Sequence, residues 1–442
     1  MEHLKNMLDL TSKKAEKSEI FYMKTFKDSV IFEADKVETM ENSQSEGMAL
    51  RLVKNKKTGF ATSAMINEQI IEKALENSEF GEERLIDFSS EKLLFHPEHY
   101  MSETVQKIEP DSFVDRGMKI IETLKHFDNR IKVNVNFEKT YRHVSLLTSS
   151  GFCGDYEKNY YSQFLGAQLI TKDDIFNVWN GFSDSEFTGG DEKLIEDTMF
   201  YVEHGRNVVD IETGKYPVLF LPDTLTSLLK ILCSALNGYK IVQKFSPLHD
   251  KLGEAMFDDR FTMYDDTTMP GGDNYLPFDD EGVPAQKTVL VEKGIIKNFL
   301  LDLKYGNKLN MNSTGNSLRN NFMNERNYNY DLSIWPTTVV VEPGNICSKD
   351  LIENMECGFL VKSTPPLSSG MCQNGDFSGT LTLGYKIEKG KIAGRVKNAV
   401  ISGNIYKLLK NQILAISSDR IFSNTSEYKL PCMLFKDVDV TA

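Results

Sequence analysis

The sequence predicts an α+β fold with two domains. The chain has 442 residues, which is more than one ordinary hydrophobic core accommodates. Helical and strand-like segments follow one another without the strict alternation that a parallel α/β sheet requires. A polar, glycine-containing segment, RNVVDIETGKYP, separates a mixed first half from a strand-rich second half. We therefore expect an N-terminal α+β domain at 1–209 and a C-terminal β-rich domain at 210–442.

The first half is predicted to mix helices with antiparallel strands. Its N-terminus, MEHLKNMLDLTSKKAEKSE, is typical of an amphipathic helix and lacks the apolar region of a signal peptide. ALRLVKNKKTGFATSAM indicates a strand, a glycine-containing turn and a second strand. NEQIIEKALENS indicates a helix with Asn67 as its N-cap. Further helices are expected at 110–127 and at about 191–204, and the strands between them break at SSG, 149–151.

The second half begins with a strand, KYPVLFLP, and a helix within TLTSLLKILCSALNGYKI at 224–241. Asp223 is predicted to cap this helix and Gly238 to end it. The helix is apolar on nearly every side, which predicts a buried position. Lys230 is the only charged residue between Asp223 and Lys240, and we expect its long side chain to reach solvent or a carboxylate.

The rest of the second half is predicted to be mostly strand. Two hairpins, TVLVEKGIIKNFL and GYKIEKGKIAGRV, reverse at a Lys-Gly pair whose glycine can adopt a positive φ. A helix near 404–417 and a final strand, CMLFKDVDV, are expected to close the chain.

Charge and composition exclude several classes of protein. The formal net charge of −13, with only short basic stretches, disfavours direct binding of nucleic acid. No apolar run is long enough for a membrane helix. The six cysteines are scattered without a C-x-x-C pair, which is typical of reduced thiols. The sequence therefore predicts a cytoplasmic protein that acts neither on nucleic acid nor in a membrane.

Motifs that carry known chemistry are few. The sequence HPEH places His96 and His99 around Glu98, but the proline and the polar surroundings indicate a solvated loop rather than a metal site. Nucleophile elbows, Walker A loops, G-x-G-x-x-G and H-E-x-x-H are missing from the sequence. We assign no catalytic and no metal-binding residue to this chain.

Two polar loops supply candidate binding residues. PGGDNYLPFDDEG ends in three consecutive acids that could line the mouth of a cleft, act as acid and base or hold a cation, or that simply form an acidic turn before a hairpin. STGNSLRNN contains an arginine that can bind a carboxylate or a carbonyl group. The candidate substrate- or partner-binding residues are Asp279, Asp280, Glu281, Asn316 and Arg319.

Several of these stretches, in the same order and spacing, resemble the TldD/PmbA family, in which PmbA is also called TldE and which carries the historical label of modulator of DNA gyrase. They include VETMENSQSEGMALRLVKNKKTGFATSAMINEQIIEKAL, ETGKYPVLFLPDTLTSLL, HDKLGEAMFDDRFTMYDD, PFDDEGVPAQKTVLVEKGIIKNFLLD, STGNS and NGDFSGTLTLGYKIEKGKI. The resemblance extends from about residue 30 to the C-terminus. It implies a two-domain architecture in which the C-terminal domain carries the peptidase site of TldD-type members.

The resemblance also implies what this chain lacks. TldD-type members carry H-E-x-x-x-H on the helix after the YPVLF-like strand, with two zinc-binding histidines, a glutamate that activates water and a C-terminal cysteine ligand. Histidines at i and i+5 lie about 140° apart on a regular helix, so the motif needs a local π-like widening. In this chain Lys230 and Ala235 occupy the histidine positions and Ile231 the glutamate position. Cys432 lies later than the ligand cysteine, and FSNTSEYKLP before it contains none.

The chain therefore resembles the PmbA/TldE branch, and three interpretations of its function follow. In the first, it is the non-metal subunit of a cytoplasmic peptidase that cleaves unfolded or extended peptides, and zinc is held by a TldD-like partner. In the second, it is a stand-alone, homodimeric protein that binds peptides or small ligands without catalysis. In the third, it is an enzyme in its own right that uses Asp279, Asp280 and Glu281.

Overall fold

The first half of the chain is built on a six-stranded antiparallel sheet. The computed structural model describes residues 1–81, 88–90, 100–172, 174–321, 325–367, 372–420 and 427–442. The sheet strands are β1 (Lys17–Glu33), β2 (Lys36–Lys54), β3 (Lys57–Ser63), β4 (Ile131–Thr148), β5 (Cys153–Ile170) and β6 (Ile175–Asp184). They lie in the order β3-β2-β1-β4-β5-β6.

Helices cover one face of this sheet and its ends. They are α1 (Glu2–Ser12), α2 (Gln69–Glu79), α3 (Glu103–Gln106), α4 (Ser112–Phe127) and α5 (Asp191–Gly205). The predicted helices at the N-terminus, at 110–127 and at 191–204 are confirmed. The N-cap of α2 is Glu68 rather than Asn67, although the Asn67 side chain accepts a hydrogen bond from the Gln69 N–H at 3.1 Å.

The hairpin turns form at residues that tolerate a positive φ. The prediction that a glycine turns the chain between β2 and β3 was wrong, because Asn55 and Lys56 form the turn with φ of 50° and 64° and Gly59 lies within β3. Two consecutive residues with positive φ match the right-handed twist of the paired strands. The two Lys-Gly turns are confirmed, at Lys293–Gly294 and Lys389–Gly390.

The second half contains the remaining three sheets. Its helices are α6 (Pro222–Ala235), α7 (Gly238–Val242), α8 (Leu303–Leu309), α9 (Ser348–Glu353) and α10 (Ile405–Lys407), with a 3₁₀ turn at Cys372–Asn374 and a π-helical turn at Leu408–Gln412. Its strands are β7 (Gly214–Phe220), β8 (Met263–Asp266), β9 (Lys287–Glu292), β10 (Ile295–Ile296), β11 (Ser317–Arg319), β12 (Leu332–Ile334), β13 (Val339–Val341), β14 (Cys357–Ser363), β15 (Asp376–Thr380), β16 (Leu383–Glu388), β17 (Lys391–Arg395), β18 (Val400–Asn404), β19 (Ile413–Arg420), β20 (Tyr428–Lys429) and β21 (Pro431–Thr441).

A mixed eight-stranded sheet contains the strand that leads into α6 and so fixes the position of that helix. Its order is β15-β18-β21-β7-β14-β16-β17, and β19 pairs with β21. β7 lies in its centre, parallel to β14 and antiparallel to β21, and leads directly into α6. A five-stranded sheet has the order β10-β9-β8-β13-β20, and β11 pairs with β12.

The helix predicted near 404–417 is present at 405–412, but the prediction was wrong for its last five residues. The Asn404 side chain accepts hydrogen bonds from the N–H groups of Tyr406 and Lys407, so a helix does begin there. It passes through the π-helical turn and ends at Gln412, because the residues from Ile413 onward form β19 and pair with β21. Sheet pairing therefore overrides the helical pattern of this stretch.

The hydrophobic core is shared between the two halves. Phe113 and Phe137 belong to the same buried cluster as Leu219 and Tyr385. The hydroxyl of Tyr385 donates a hydrogen bond to the carbonyl of Tyr201 at 2.7 Å. Among the described residues, the predicted domain boundary at residue 209 separates the named sheets but not the hydrophobic cores. Independent folding of the two domains stays a prediction. In the described part of the chain, no helix has the length and apolar character to cross a membrane.

Candidate functional site

The site begins at α6, the helix that follows the central strand β7. Leu221, rather than Asp223, is the N-cap, and Pro222 occupies the first turn, where its missing N–H costs nothing. Asp223 lies in the first turn and forms an ion pair with the buried Lys362. The helix ends at Ala235, so Gly238 does not end it. Asn237 instead caps α7, its side chain accepting a hydrogen bond from the Tyr239 N–H at 3.0 Å.

The predicted burial of α6 is confirmed. Ten of its fourteen residues are buried, and Leu228, Leu229 and Leu232 have no solvent exposure. Lys230 is half-buried, and its ammonium lies 5.9 Å from the centre of the Tyr428 ring. A cation this close to an aromatic face is attracted by the ring quadrupole, a contact that the sequence did not indicate.

The residues at the three key positions of α6 do not fit zinc. Ile231 and Ala235 are 4% exposed and carry no ligand atom, and the Lys230 ammonium would repel a cation. The helix is α-helical from Pro222 to Ala235. Within the part of the chain that the structure describes, no three histidine, cysteine, aspartate or glutamate side chains lie close enough together to hold a metal ion. His96, Glu98 and His99 lie outside the described residues.

Cys432 is a core thiol. It is fully buried in β21, and burial raises the pKa of its thiol to about 12. Its N–H donates a hydrogen bond to the Ser417 hydroxyl at 2.9 Å. A thiol that stays protonated in this way is a weak nucleophile and a poor metal ligand.

A buried polar cluster lies beside α6 and contains one of the predicted site residues. Asp265 of β8 accepts hydrogen bonds from the Asn316 amide at 2.7 Å and from both the N–H and the hydroxyl of Thr337 at 2.8 Å. Burial nevertheless raises the pKa of Asp265 to about 6. The same cluster includes Cys233 and Tyr428. Burial, and next Asp265, raise the pKa of Cys233 to about 12, and burial, and next Cys233, raise the pKa of Tyr428 well above its ordinary value.

The acidic turn is buried instead of exposed at a cleft mouth. Asp279, Asp280 and Glu281 are 1%, 0% and 2% exposed, so of the arrangements that the sequence left open they form a turn and do not line an open cleft mouth. Asp279 accepts three backbone hydrogen bonds, from Glu281, Val283 and Ser317. Burial, and next the neighbouring Glu281, raise its pKa well above the ordinary value. Backbone hydrogen bonds from neighbouring residues therefore fix the Asp279 side chain within the turn.

Asp280 joins this turn to the polar loop. It forms an ion pair with the buried Arg326 and accepts the Arg319 N–H at 2.7 Å. Arg326 in turn donates to the Tyr156 hydroxyl of the first sheet at 2.9 Å.

Glu281 and Arg319 belong to a second set of charges, the carboxylate–arginine network, which consists of Glu19, Arg51, Glu281 and Arg319. Arg51 contacts Glu19 at 2.7 Å and Glu281 at 3.0 Å, and Arg319 contacts Glu19 at 3.1 Å. All four side chains are at most 7% exposed. Because Glu19 and Arg51 lie on β1 and β2, the network connects the first sheet to the second half.

The structure thus brings the five candidate residues together, but within buried networks. Their role in binding substrate or partner stays a prediction. Glu19, Arg51 and Arg326 were missed in the sequence. A signal existed for two of them, because Glu19 directly precedes the apolar run at 20–23, Arg51 interrupts the apolar run at 48–53, and the two are direct cross-strand partners.

A cavity of about 620 Å³ lies between the two halves, near the start of α6. Its apolar lining comes from α5, α9 and the segment around β20, and charged side chains stand beside it. The lining residues are Phe182, Ser183, Asp184, Lys193, Asp197, Phe200, Tyr201, Leu221, Ser348, Lys349, Ile352, Leu360, Asp419, Arg420, Tyr428, Lys429 and Leu430. Its size lies within the range of small-ligand sites.

Comparison with known proteins gives a consistent family. Residues 213–442 match the PmbA/TldA metallopeptidase C-terminal domain, and residues 18–79 match the PmbA/TldA metallopeptidase domain 1. The chain is 24% identical to the metalloprotease PmbA homolog of Buchnera aphidicola, covering 94% of this chain and 91% of that protein. It is 23% identical to metalloprotease PmbA of Escherichia coli O157:H7, covering 95% and 91%.

A solved structure shares the fold. The crystal structure of TldE from Thermococcus kodakarensis superimposes with a TM-score of 0.90 over 100% of both chains, at 22% identity. The family model that begins at residue 213 covers more than half of the chain and includes β7 and α6. The chain therefore belongs to the PmbA/TldD metallopeptidase family.

Proposed function

We propose that this chain is the non-metal subunit of a cytoplasmic TldD/TldE-type metallopeptidase. It pairs with a TldD-like chain that holds the zinc ion, and the assembly cleaves unfolded or extended peptides. The observation that carries the proposal is the composition of α6, in which Lys230, Ile231 and Ala235 stand where a metal site would need ligands and a base. A protein of this family that keeps the fold and lacks these groups is suited to a supporting role.

The buried acids support a non-catalytic role. A general acid or base must reach its substrate within hydrogen-bond distance. Asp280 is fully buried and ion-paired with Arg326, and Glu281 is held by Arg51 and the Leu303 N–H. These contacts disfavour the interpretation in which Asp279, Asp280 and Glu281 catalyse hydrolysis in the isolated chain.

The proposed peptide binding is supported by the cavity that lies between the two halves. The 620 Å³ cavity between the halves offers apolar surface from Phe200, Tyr201 and Ile352 for side chains of a peptide. Charged residues beside it, such as Lys193 and Asp197, can contact polar parts of a ligand. Enclosure of a peptide between two subunits would also exclude water from the partner's metal site.

Reconstitution tests the proposal. A quenched fluorogenic peptide is incubated with this chain, with a TldD-like chain from the same organism and with both, each with and without a chelator. We expect no cleavage by this chain alone, and cleavage by the mixture that exceeds that of the partner and disappears with chelator. Size-exclusion chromatography with light scattering should detect the complex.

Two results would contradict the proposal. Cleavage by this chain alone that persists with chelator would make it an enzyme in its own right. Failure to bind any TldD-like chain from its own cells would favour the stand-alone, homodimeric binding protein.

A further inference from the structure

A second cavity, of about 400 Å³, opens onto the first sheet and contains buried cations. We call it the basic cavity and define it by Thr25, Lys27, Ser45, Arg142, Asp273 and Arg326, which line it. Arg142 and Arg326 are 3% and 4% exposed, yet both border the cavity. Guanidinium groups so deeply buried are uncommon unless they are paired or have a ligand to bind.

The charges behind the cavity do not balance. Arg142 pairs with Asp273, and Arg326 pairs with Asp280. Lys158, which is 1% exposed, is the third cation, and its ammonium donates to the carbonyls of Asp273 and Tyr275 at 2.6 and 2.9 Å. Its nearest carboxylate oxygen, on Asp273, lies 3.9 Å away and already contacts Arg142. Among the described residues, three buried cations therefore face two buried carboxylates.

The pKa of Lys158 is consistent with this surplus. Burial, opposed by Asp273 and assisted by the positive charges of Arg142 and Arg326, lowers the pKa of Lys158 to about 7. On the rim, Lys27 forms an ion pair with Glu138 at 3.5 Å, and Glu325 also lines the cavity. An anion that entered the cavity would add negative charge beside the buried cations.

We propose that the basic cavity binds the carboxylate of a peptide. Carboxylates match the planar donor geometry of arginine, and a cavity of about 400 Å³ accommodates a residue together with its terminal group. The choice of a peptide as the carrier rests on the proposed function. The carboxylate comes from the C-terminus or from an acidic side chain, which are chemically equivalent for this site.

The test uses Ser45, an exposed residue of β2 that lines the cavity. It lies opposite Thr25, whose hydroxyl accepts a hydrogen bond from Arg142. Ser45→Glu places a carboxylate at the mouth without changing the core, and Ser45→Gln is the matched neutral control. Binding is measured by calorimetry at low salt with four probes: acetyl-trialanine acid, its amide, the amide of an acetylated Ala-Glu-Ala peptide, and inorganic phosphate.

We expect the wild-type chain to bind acetyl-trialanine acid about tenfold or more tightly than its amide, which corresponds to the loss of one charge-assisted contact. Ser45→Glu should weaken binding of the acid by about tenfold, and Ser45→Gln by less than about twofold. If the Ala-Glu-Ala amide binds as well as the acid, the cavity accepts a side-chain carboxylate. If it does not, the cavity is specific for a C-terminus.

Equal binding of acid and amide, binding of phosphate alone, or an unchanged affinity in Ser45→Glu would overturn the proposal. Complex formation with a TldD-like chain is measured in parallel. A Ser45→Glu chain that still forms the active complex shows that the two proposals are separable. Carboxylate binding by a chain that forms no complex would instead refute only the proposed function.

Discussion

Replacement of Arg51 by methionine should reveal how strongly the carboxylate–arginine network holds the two halves together. Arg51 contacts Glu19 at 2.7 Å and Glu281 at 3.0 Å, and its side chain is 7% exposed. After Arg51→Met, Glu19 keeps Arg319 at 3.1 Å, whereas Glu281, among the described residues, keeps only the Leu303 N–H at 3.0 Å. One buried carboxylate is then left without a cation.

The cost can be estimated from the behaviour of other buried pairs. Removal of one partner from a buried ion pair destabilises a protein by about 3–5 kcal/mol. If the 442 residues unfold as one cooperative unit, this corresponds to a fall in Tm of about 4 °C. The loss should be smaller at pH 5 than at pH 8, because the unpaired carboxylate can take up a proton and become neutral.

Differential scanning calorimetry and denaturant titration at both pH values measure these effects. Arg51→Met combined with Glu281→Gln should recover part of the lost free energy, because the uncompensated charge is removed. Lys107→Met is the matched control, since Lys107 and its partner Glu103 are 75% and 82% exposed and their contact should not contribute measurably. A loss below about 1 kcal/mol at pH 8, or one equal at both pH values, would refute the reasoning.

Three further predictions concern α6 and its surroundings. Leu229→Asp should abolish the fold of the second half because a charge would be buried without a partner, and an unchanged Tm would contradict this. The free energy of unfolding should fall by up to about 3 kcal/mol as the pH rises from about 4 to 6, since the pKa of Asp265 is about 6 in the folded chain. In a pH series of denaturant titrations, Asp265→Asn should flatten this part of the curve. The triple variant Lys230→His, Ile231→Glu, Ala235→His should neither bind stoichiometric zinc by elemental analysis nor cleave peptides, and tight zinc in it would contradict the account of α6.

Local patterns in the sequence predicted much of the fold. The helices α4, α5 and α6 have long apolar stripes, and the Lys-Gly turns carry their own conformational signal. The helix prediction for the end of the stretch after Asn404 failed because a short helix and a β-branched strand can have the same apolar pattern. The outcome there was decided by pairing with β21, a partner distant in sequence.

The networks around the candidate site depend on contacts that a single sequence does not show. Glu19 and Arg51 could have been paired from the hairpin register, since they have opposite charges and lie at facing positions of β1 and β2 beside apolar residues. Glu281 lies 230 residues from Arg51, and Arg319 lies 300 residues from Glu19. Nothing in the local sequence of DDEG distinguishes a buried turn from an exposed one, so its burial could not be predicted.

The composition of α6 explains how the helix can persist without metal ligands. In a metal site, part of the folding free energy comes from coordination of the ion. Here Leu228, Leu229 and Leu232 have no solvent exposure, and each fully buried leucine contributes roughly 1.5–3 kcal/mol. Ile231 and Ala235 extend this apolar surface to positions where ligands would otherwise be needed. Apolar packing thus fixes the helix on β7, and the half-buried Lys230 beside Tyr428 gives this part of the helix a positive charge.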